Sequence, residues 1–278
     1  MKIAIITPVA NEENYISIHC DELLKFKNNI KNFHNIQQID FLFIMDNFNK
    51  DRTDSILNEY NKIDNSIKVL FNEKSSGLSS CYIYGYEYSI ENNYDYIIEM
   101  DCGESHPIVN LYEVFNSLLI EKNDIVFHSR FMSDGSYQGS LFRQMVSKIG
   151  TYLSNFYLCL PLTDATSGFQ AFKREVIQDL DFNKFKSSGG FFQTELKYFT
   201  FLRLHDKLHD DYLQGIGAIH SYYSFARLFG NENKKYKFKE LPLRYKLTTT
   251  SFKYKWLLQS LKYLILIKHS FVYKDKEK

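Results

Sequence analysis

Short apolar segments alternate with helical ones through the first half of this chain, and this alternation restricts the fold more than any other feature. The apolar segments are KIAIIT at 2–7, IDFLFIM at 39–45, IKVLF at 67–71, YDYIIEM at 94–100 and DIVFHS at 124–129. Strands that are buried on both faces and separated by helices indicate a parallel sheet with helices on both sides. The sequence therefore predicts an α/β fold built on a mostly parallel sheet.

After the fifth strand the alternation weakens and longer helices take over. An amphipathic helix covers 140–158 and another helix covers 192–204. Pro242 confines a later short strand to an edge of the sheet, because proline cannot donate a ladder hydrogen bond. We divide the chain into a main α/β domain at 1–233 and a basic C-terminal extension at 234–278 that ends in an amphipathic helix.

The formal net charge of +1 hides an uneven distribution. The extension from Lys234 onward contains 13 Lys and Arg residues against three Asp and Glu residues, so the remainder of the chain is acidic. A basic segment on an acidic body indicates attraction to an anionic surface or substrate, although the last five residues are better explained as a solvated tail.

Targeting signals and cysteine content indicate the cellular compartment of the protein. The apolar start is followed at once by charged residues, unlike a cleavable leader, and no uncharged run reaches the roughly 20 residues of a membrane span. The four cysteines are scattered, as is usual for reduced thiols. We expect a cytoplasmic protein, with peripheral contact to the inner face of a membrane as an option, and no nucleic acid among its partners.

Polar residues follow three of the predicted strands where each strand ends, at 8–12, 46–51 and 101–106. The carboxyl ends of parallel strands meet at one edge of the sheet, which is where open α/β sheets bind ligands. A carboxylate such as Asp101 in that position typically holds a divalent cation on the phosphates of a nucleotide. The alternative is a surface turn that caps the next helix.

The turn after the first strand, TPVANEE at 7–13, contains no glycine, and the chain has no P-loop. A dinucleotide-binding fold needs glycines in that turn so that backbone amides can approach the phosphates. A cation and basic side chains must then hold the phosphates. The candidates are Asp101 for the cation and Arg130, at the end of the fifth strand, for the phosphates.

Seven segments, in order and at compatible spacings, resemble the motifs of a known family. They are TPVANEEN, MDNFNKDRT, NEKSSGLSSCYIYG, EMDCGESHP, HSRFMSDGS, LPLTDATSGFQAFKREV and GFFQTELKY. Together they resemble the inverting glycosyltransferases of family two, which have the GT-A fold, and within them the dolichol-phosphate mannosyltransferase group with its bacterial relatives. The match runs from residue 3 to about residue 204 and more weakly to about residue 255. It implies a Rossmann-like, mostly parallel sheet with helices on both faces.

The resemblance also implies roles for individual residues. Pro8, Asn11 and Glu12 would lie against the nucleotide, and Asp46 would pair with its base. Gly77 belongs to the loop that lets a helix approach the nucleotide. These positions are the expected donor-binding residues.

The metal motif departs from the family pattern. The expected Asp-x-Asp reads Asp101-Cys102-Gly103, so the second carboxylate is missing. Glu104 should point away by alternation, and His106 is the other candidate for the missing ligand. Magnesium is often held by only one or two carboxylates with water and phosphate oxygens. We therefore expect a weakened Mg²⁺ or Mn²⁺ site at Asp101.

A second departure lies after the edge strand, where the relatives carry an Arg. This chain has Lys246, Thr248 and Thr249 in that region, which puts phosphate contacts from the loop in doubt.

The acceptor decides which further groups the chemistry needs. A hydroxyl acceptor requires a general base, whereas a phosphate acceptor is already an anion and requires only positioning. Arg143 and Ser147 share a helix face at i,i+4 spacing, and Arg binds phosphate in a planar fork; the alternative is an exposed Arg on an amphipathic helix. Asp164 and Glu195 are the candidate bases. Asp164 is better explained as a hydrogen-bond acceptor of its own turn, and the alternative for Glu195 is a favourable charge near a helix start.

The sequence thus predicts an inverting, metal-assisted glycosyltransferase that moves a sugar from a nucleotide-diphosphate donor to a polyprenyl phosphate or a membrane-associated glycan. The alternative is a non-catalytic protein that binds sugar nucleotides or acts as a scaffold, with a degraded metal motif. A sugar nucleotidyltransferase is disfavoured because no glycine-rich basic loop follows the first strand. The final helix, with Trp256 and several leucines, either rests peripherally on a membrane or packs against the sheet.

Overall fold

The computed structural model describes residues 1–30, 35–73, 77–203, 235–246, 254–268 and 270. Its strands are β1 (Lys2–Val9), β2 (Gln38–Met45), β3 (Ile67–Phe71), β4 (Tyr96–Glu99), β5 (Ile125–Ser129), β6 (Ser136–Gln138), β7 (Gln170–Lys173), β8 (Phe238–Pro242) and β9 (Arg244–Lys246). Its α-helices are α1 (Ile16–Asn29), α2 (Thr53–Ile63), α3 (Leu78–Glu91), α4 (Val109–Phe115), α5 (Leu141–Leu158), α6 (Arg174–Ile177), α7 (Phe192–Leu202) and α8 (Tyr254–Lys268). A π-helical turn, Asn116–Ile120, continues α4.

Seven of these strands form one sheet in the order β3-β2-β1-β4-β7-β5-β8. Every neighbouring pair is parallel except that β7 runs antiparallel to both β4 and β5. The prediction of a mostly parallel sheet is confirmed, and all five predicted strands are present. Strand β8 occupies an edge and ends at Pro242, as the proline predicted. Strand β7 was not predicted. A separate parallel pair of strands, β6 and β9, lies beside the sheet.

The two faces of the sheet carry separate apolar cores. On β1, Ala4 and Ile6 belong to the core that includes residues of α3, α5, α7 and α8, whereas Ile3 and Ile5 belong to the core that includes residues of α1, α2 and α4. Successive side chains of a strand point to opposite faces. Strands covered on both sides must therefore be apolar at every position, which is why they read as continuous apolar runs.

The C-terminal extension is joined to the sheet. Strand β8 pairs with β5, and β9 pairs with β6. Helix α8 lies against α5, where Lys268 Nζ donates to the Tyr157 carbonyl at 3.0 Å. The domain boundary at residue 233 stays a prediction, but the described part of the segment after it supplies an edge strand of the main sheet. Among the described residues, no helix has the length and apolar character that a membrane crossing needs.

Helix α3 approaches β1 so closely that only glycine fits at Gly85. A Cβ atom added there would lie 2.5 Å from Ile6 Cγ2. Ile6 is fully buried in the middle of β1, so it has little room to move aside. Gly85 therefore sets the distance between α3 and the sheet.

We expect Gly85→Ala to lower the free energy of unfolding by about 1–2 kcal/mol. The overpacking cost of about 1–3 kcal/mol exceeds the gain of up to about 1 kcal/mol in helix propensity. Urea unfolding measures the difference. Gly190→Ala is the matched control, because a Cβ at that position meets no atom within 4 Å. A Gly85→Ala protein as stable as the control would show that the helix can shift freely.

Candidate active site

The turns that follow β1 and β2 are bonded into one unit at the carboxyl edge of the sheet. Asn11, in a left-handed conformation with φ +59°, donates from its backbone N–H to Asn49 Oδ1 at 2.9 Å. Its side-chain amide donates to the Phe48 carbonyl at 3.1 Å and accepts from the Lys50 N–H at 2.8 Å. Asn11 thus joins two of the predicted ligand-binding loops, and its contact with a nucleotide stays a prediction.

Acidic groups concentrate at this edge. The Glu12 backbone N–H donates to Thr53 Oγ1 at 2.8 Å, which fixes Glu12 at the rim. Burial, followed by the charges of Asp101 and Asp51, raises the pKa of Glu12 to about 7. The carboxylates of Glu12 and Asp101 are therefore near enough to repel each other, as we expect if the loops after β1 and β4 lie close together.

Three other residues predicted to contact the nucleotide, Pro8, Asp46 and Gly77, lie at or after the ends of β1, β2 and β3. Pro8 is the partly buried penultimate residue of β1. Asp46 directly follows β2, where its N–H donates to the Val9 carbonyl at 3.0 Å and its Oδ1 accepts from the Phe48 N–H at 3.1 Å. Gly77 precedes α3 with φ +104°, a conformation that favours glycine.

Two buried side chains hold the Asp101 carboxylate in place. The Tyr82 hydroxyl donates to Oδ1, and burial raises the pKa of Tyr82, so the hydroxyl keeps its proton. His106 Nδ1 accepts from the backbone N–H of Asp101 at 2.8 Å, and its Nε2 lies 3.6 Å from Oδ2. Burial lowers the pKa of His106, so the neutral ring carries its proton on Nε2, facing the carboxylate. The Asp101 side chain is 35% exposed and remains accessible to a ligand.

The turn after Asp101 leaves open space where the family has a second carboxylate. Gly103 has φ +83°, and a Cβ added there meets no atom within 4 Å. Glu104 is paired with another residue: its Oε1 accepts from Lys246 Nζ at 2.6 Å. Lys246 is thereby paired with a carboxylate, while Thr248 and Thr249 lie outside the described residues.

Within the described part of the chain, no group of three or more His, Cys, Asp or Glu side chains is arranged to hold a metal ion. The available donors fit a cation that takes one protein carboxylate, that of Asp101, and its other ligands from phosphate oxygens and water. They do not fit a cage built of protein ligands. The predicted stand-in role of His106 is not supported, because both of its ring nitrogens face Asp101.

Arg130 and Asp164 form a buried, two-pronged ion pair. Arg130 Nε donates to Asp164 Oδ2 at 2.7 Å, and Nη2 donates to Oδ1 at 2.9 Å. The guanidinium also donates to Thr166 Oγ1 at 2.6 Å, and its carbon lies 5.3 Å from the ring centroids of both Tyr137 and Tyr245. The side chain is only 9% exposed. The geometry assigns the Arg130 fork to Asp164, and a contact with phosphate stays a prediction.

Asp164 is held from both its side chain and its backbone. Burial alone would raise its pKa, but the Arg130 charge outweighs burial and the pKa lies below its ordinary value. Lys197 Nζ, itself fully buried, donates to the carbonyls of Asp164 at 3.0 Å and Ser167 at 2.7 Å. These contacts favour the alternative that Asp164 organises its turn, because a general base needs an accessible oxygen.

Glu195 is also occupied by its own surroundings. It is completely buried in the first turn of α7. Its two oxygens accept from the N–H groups of Lys186 at 2.9 Å and Ser187 at 2.8 Å, and Oε2 also accepts from the Ser187 hydroxyl. Its contacts are those of a carboxylate that fixes the preceding loop.

The two proposed acceptor residues lie on the inner side of α5. Arg143 and Ser147 are partly buried. Further along the same side, Thr151 Oγ1 accepts from the Ala165 N–H at 3.2 Å. This contact places the middle of the inner side of α5 against the turn that Asp164 and Arg130 hold, and binding of phosphate by Arg143 and Ser147 stays a prediction.

The family is decided by comparison with known proteins. The profile described as "Glycosyl transferase family 2" matches residues 4–181, more than half of the chain. This chain belongs to glycosyl transferase family 2. The resemblance predicted from the seven motifs is thereby confirmed.

Among the similar sequences, an undecaprenyl-phosphate mannosyltransferase of Micrococcus luteus is 30% identical over 138 residues, 49% of this chain and 56% of that protein. A polyprenol monophosphomannose synthase of Mycolicibacterium smegmatis is 26% identical over 159 residues, 56% of this chain and 60% of that protein. A dolichol-phosphate mannosyltransferase of Pyrococcus furiosus is 27% identical over 66% of this chain and 49% of that protein. The chain thus spans about half to three fifths of the length of the curated relatives it matches.

Solved structures show the same fold. Mannosyl-3-phosphoglycerate synthase from Rubrobacter xylanophilus aligns with a TM-score of 0.60 at 13% identity, over 96% of this chain and 72% of that one. Glucosyl-3-phosphoglycerate synthase from Mycobacterium tuberculosis, in complex with Mn²⁺, uridine diphosphate and glucosyl-3-phosphoglycerate, aligns with a TM-score of 0.58 at 13% identity, over 96% and 80%. The predicted GT-A fold is confirmed.

Sequence reasoning missed the buried polar groups beneath the site of this family 2 member. Glu99, the last residue of β4, is completely buried and accepts from the Tyr86 hydroxyl at 2.7 Å and from Gln170 Nε2 at 3.1 Å. Burial raises its pKa to about 8, so it keeps its proton at neutral pH. A lone Glu inside an apolar strand, two residues before Asp101, was the available signal.

We expect Asp164→Ala to lower the free energy of unfolding by about 3–5 kcal/mol, because it leaves the buried Arg130 charge unpaired. Glu13→Ala is the matched control: it removes the partner of Arg52, which is 81% exposed, and should cost at most about 1 kcal/mol. Urea unfolding compares the two variants. If Asp164→Ala were as stable as Glu13→Ala while sugar transfer was lost, the structural role would be wrong and a base role would be supported.

Proposed function

We propose that this chain is an inverting, metal-assisted glycosyltransferase that moves a hexosyl group from a nucleotide-diphosphate sugar to a polyprenyl phosphate. Membership of family 2 and the named transfer reactions of the curated relatives support sugar transfer. The observation that carries the proposal is the placement of Asp101 at the carboxyl end of β4, near Glu12 in the joined first and second loops. The donor nucleotide would lie against Pro8, Glu12, Asp46 and Gly77.

Asp101 would hold a Mg²⁺ or Mn²⁺ ion together with oxygens of the donor diphosphate. Such an ion, when bound, neutralises the charge that develops on the leaving diphosphate. The chain's own contribution is orientation: Tyr82 and His106 fix the carboxylate before any ligand arrives. Preorganisation of this kind avoids reorganisation during the reaction.

A phosphate acceptor fits this site better than a hydroxyl acceptor. Both candidate bases are engaged: Asp164 by Arg130 and Glu195 by the loop at 186–187. A polyprenyl phosphate is already an anion, so it needs a positioned cationic partner but no proton acceptor. Arg143 and Ser147, on the inner side of α5, would bind that phosphate.

The alternative function is a non-catalytic protein that binds sugar nucleotides. The specific observation in its favour is Gly103, which leaves the metal turn with one carboxylate. The two functions differ in turnover.

With undecaprenyl phosphate and a panel of nucleotide-diphosphate hexoses in the presence of Mn²⁺, we expect Asp101→Ala to reduce kcat/KM by about 10²-fold or more, as is typical when a preorganised electrostatic group is lost. Glu104→Ala removes a half-exposed carboxylate that is paired with Lys246, and it should retain wild-type turnover. Product formation measured by radiolabel transfer compares the two. The non-catalytic alternative would be supported if the wild type and both variants showed only background turnover while nucleotide sugars still raised the melting temperature of the protein.

Arg143→Ala should raise KM for the polyprenyl phosphate by about tenfold or more, since a charge-assisted contact is worth about 1.5–3 kcal/mol, and should leave KM for the donor nearly unchanged. Steady-state kinetics with each substrate varied in turn measures this split. Gln144→Ala, one residue along the same helix, is the control. Equal changes in both KM values would contradict an acceptor-specific role.

A further inference from the structure

Helix α5 has an apolar face that is exposed in the described part of the chain. Six of its large apolar side chains are between 51% and 79% exposed. At about 100° per residue along an α-helix, all six fall within one sector of about 100°. They are Leu141, Phe142, Met145, Ile149, Tyr152 and Phe156. Singly exposed apolar residues are ordinary, but six on one face of one helix form a patch.

Helix α8, which packs against α5, carries a second set of exposed apolar residues. Leu264 and Ile267 are buried in the core, while four other apolar residues of α8 are 41% to 58% exposed. The exposed residues are Leu258, Leu261, Ile265 and Leu266. The two helices meet at Tyr157, next to Phe156, where Lys268 Nζ lies 4.5 Å from the ring centroid. We call the ten exposed apolar residues of α5 and α8 the apolar platform; the side chain of Trp256 lies outside the described residues.

The charges of these helices have a single sign. Neither α5 nor α8 contains an Asp or Glu, whereas α5 contains Arg143 and Lys148 and α8 contains Lys255, Lys262 and Lys268. An apolar face on helices whose charged residues are all cations complements a surface that is apolar inside and anionic at its boundary, as a bilayer with anionic lipids is. It does not complement a second copy of itself, because pairing two platforms would bring cations together without carboxylates between them.

The apolar sector of α5 and the two proposed acceptor residues lie on opposite sides of the helix. Arg143 and Ser147 are on the inner side of α5, roughly opposite the apolar sector at about 100° per residue. A helix seated on the bilayer by its outer face would therefore stand between the lipid and the sheet, with Arg143 and Ser147 on its inner side.

We propose that the apolar platform seats this protein on an anionic lipid bilayer, so that a membrane-embedded polyprenyl phosphate reaches Arg143 and Ser147 beside α5. The identity of the acceptor in this inference rests on the proposed function, whereas the contact with lipid rests on the apolar platform alone. The lipid contact is independent of any substrate.

The test is cosedimentation with vesicles in the absence of substrates. Vesicles of equimolar phosphatidylglycerol and phosphatidylethanolamine should bind the wild type, and phosphatidylcholine vesicles should bind it more weakly. Ile149→Asp combined with Phe156→Asp should reduce affinity for the anionic vesicles by about 10²-fold, since each buried apolar side chain accounts for about tenfold or more. Ile63→Asp combined with Ile120→Asp is the matched control, because those residues are 75% and 49% exposed and lie outside the platform; it should bind like the wild type.

Equal binding by the platform variant and the wild type, or no binding by either, would overturn the proposal. Sedimentation velocity identifies the rival occupant: a wild-type dimer that the platform substitutions convert to a monomer, without vesicle binding, would assign the platform to a second copy. Both double variants should melt like the wild type, because all four residues are exposed.

A second measurement separates this inference from the proposed function. With a short-chain, water-soluble polyprenyl phosphate and no vesicles, the platform variant should transfer sugar like the wild type, since Ile149 and Phe156 do not belong to the site. With long-chain polyprenyl phosphate in anionic vesicles, its rate should fall at least about tenfold, following the lost vesicle affinity. If the wild type bound vesicles but transferred sugar to neither acceptor, the proposed function would be refuted and the membrane contact would stand. If the wild type and the platform variant transferred sugar to both acceptors at equal rates, the membrane contact would be refuted and the proposed function would stand.

Discussion

The ion pair between Arg130 and Asp164 organises the half of the molecule where the regular alternation of strands and helices ends. It joins the end of β5 to a turn 34 residues later in the chain. Lys197 then fixes that turn to α7, and Thr151 fixes it to α5. A buried charge pair of this kind tolerates few arrangements, because each partner must be fully satisfied once it has left water. The position of α5, and with it that of Arg143 and the apolar platform, follows from this constraint.

The opposite half of the site brings carboxyl groups close together. Glu12 and Asp101 repel each other strongly enough to contribute to the raised pKa of Glu12. A nucleotide diphosphate is itself an anion, so it meets an unfavourable field at this rim unless a cation lies between them. The proposed dependence on a divalent ion therefore rests on the local electrostatics as well as on the family resemblance. It requires only one protein carboxylate.

Sequence patterns predicted the parallel strands well because burial on both faces forces continuous apolar runs, as in IDFLFIM of β2. They missed β7, whose four residues begin and end with polar side chains and whose place between β4 and β5 is set by tertiary contacts. The edge position of β8 followed from Pro242 alone.

The site was predicted less completely than the sheet. Each residue was assigned from its own motif, whereas its role depends on a distant partner. Arg130 was expected to bind phosphate, but its fork meets Asp164. Asp164 and Glu195 had two interpretations each, and burial together with filled hydrogen bonds favours the structural one. Patterns in sequence locate groups at the correct edge of a sheet; pairing between those groups becomes visible only in three dimensions.

The left-handed backbone at Gly103 limits how the metal turn could be rebuilt. Open space surrounds that position, so an introduced carboxylate would have room. At φ +83°, however, any residue with a Cβ is strained, at a cost of the order of 1 kcal/mol or more. Restoring the two-carboxylate motif would therefore require reshaping the loop as well as exchanging one side chain. A substitution of the side chain alone would add a metal ligand but lower the free energy of unfolding.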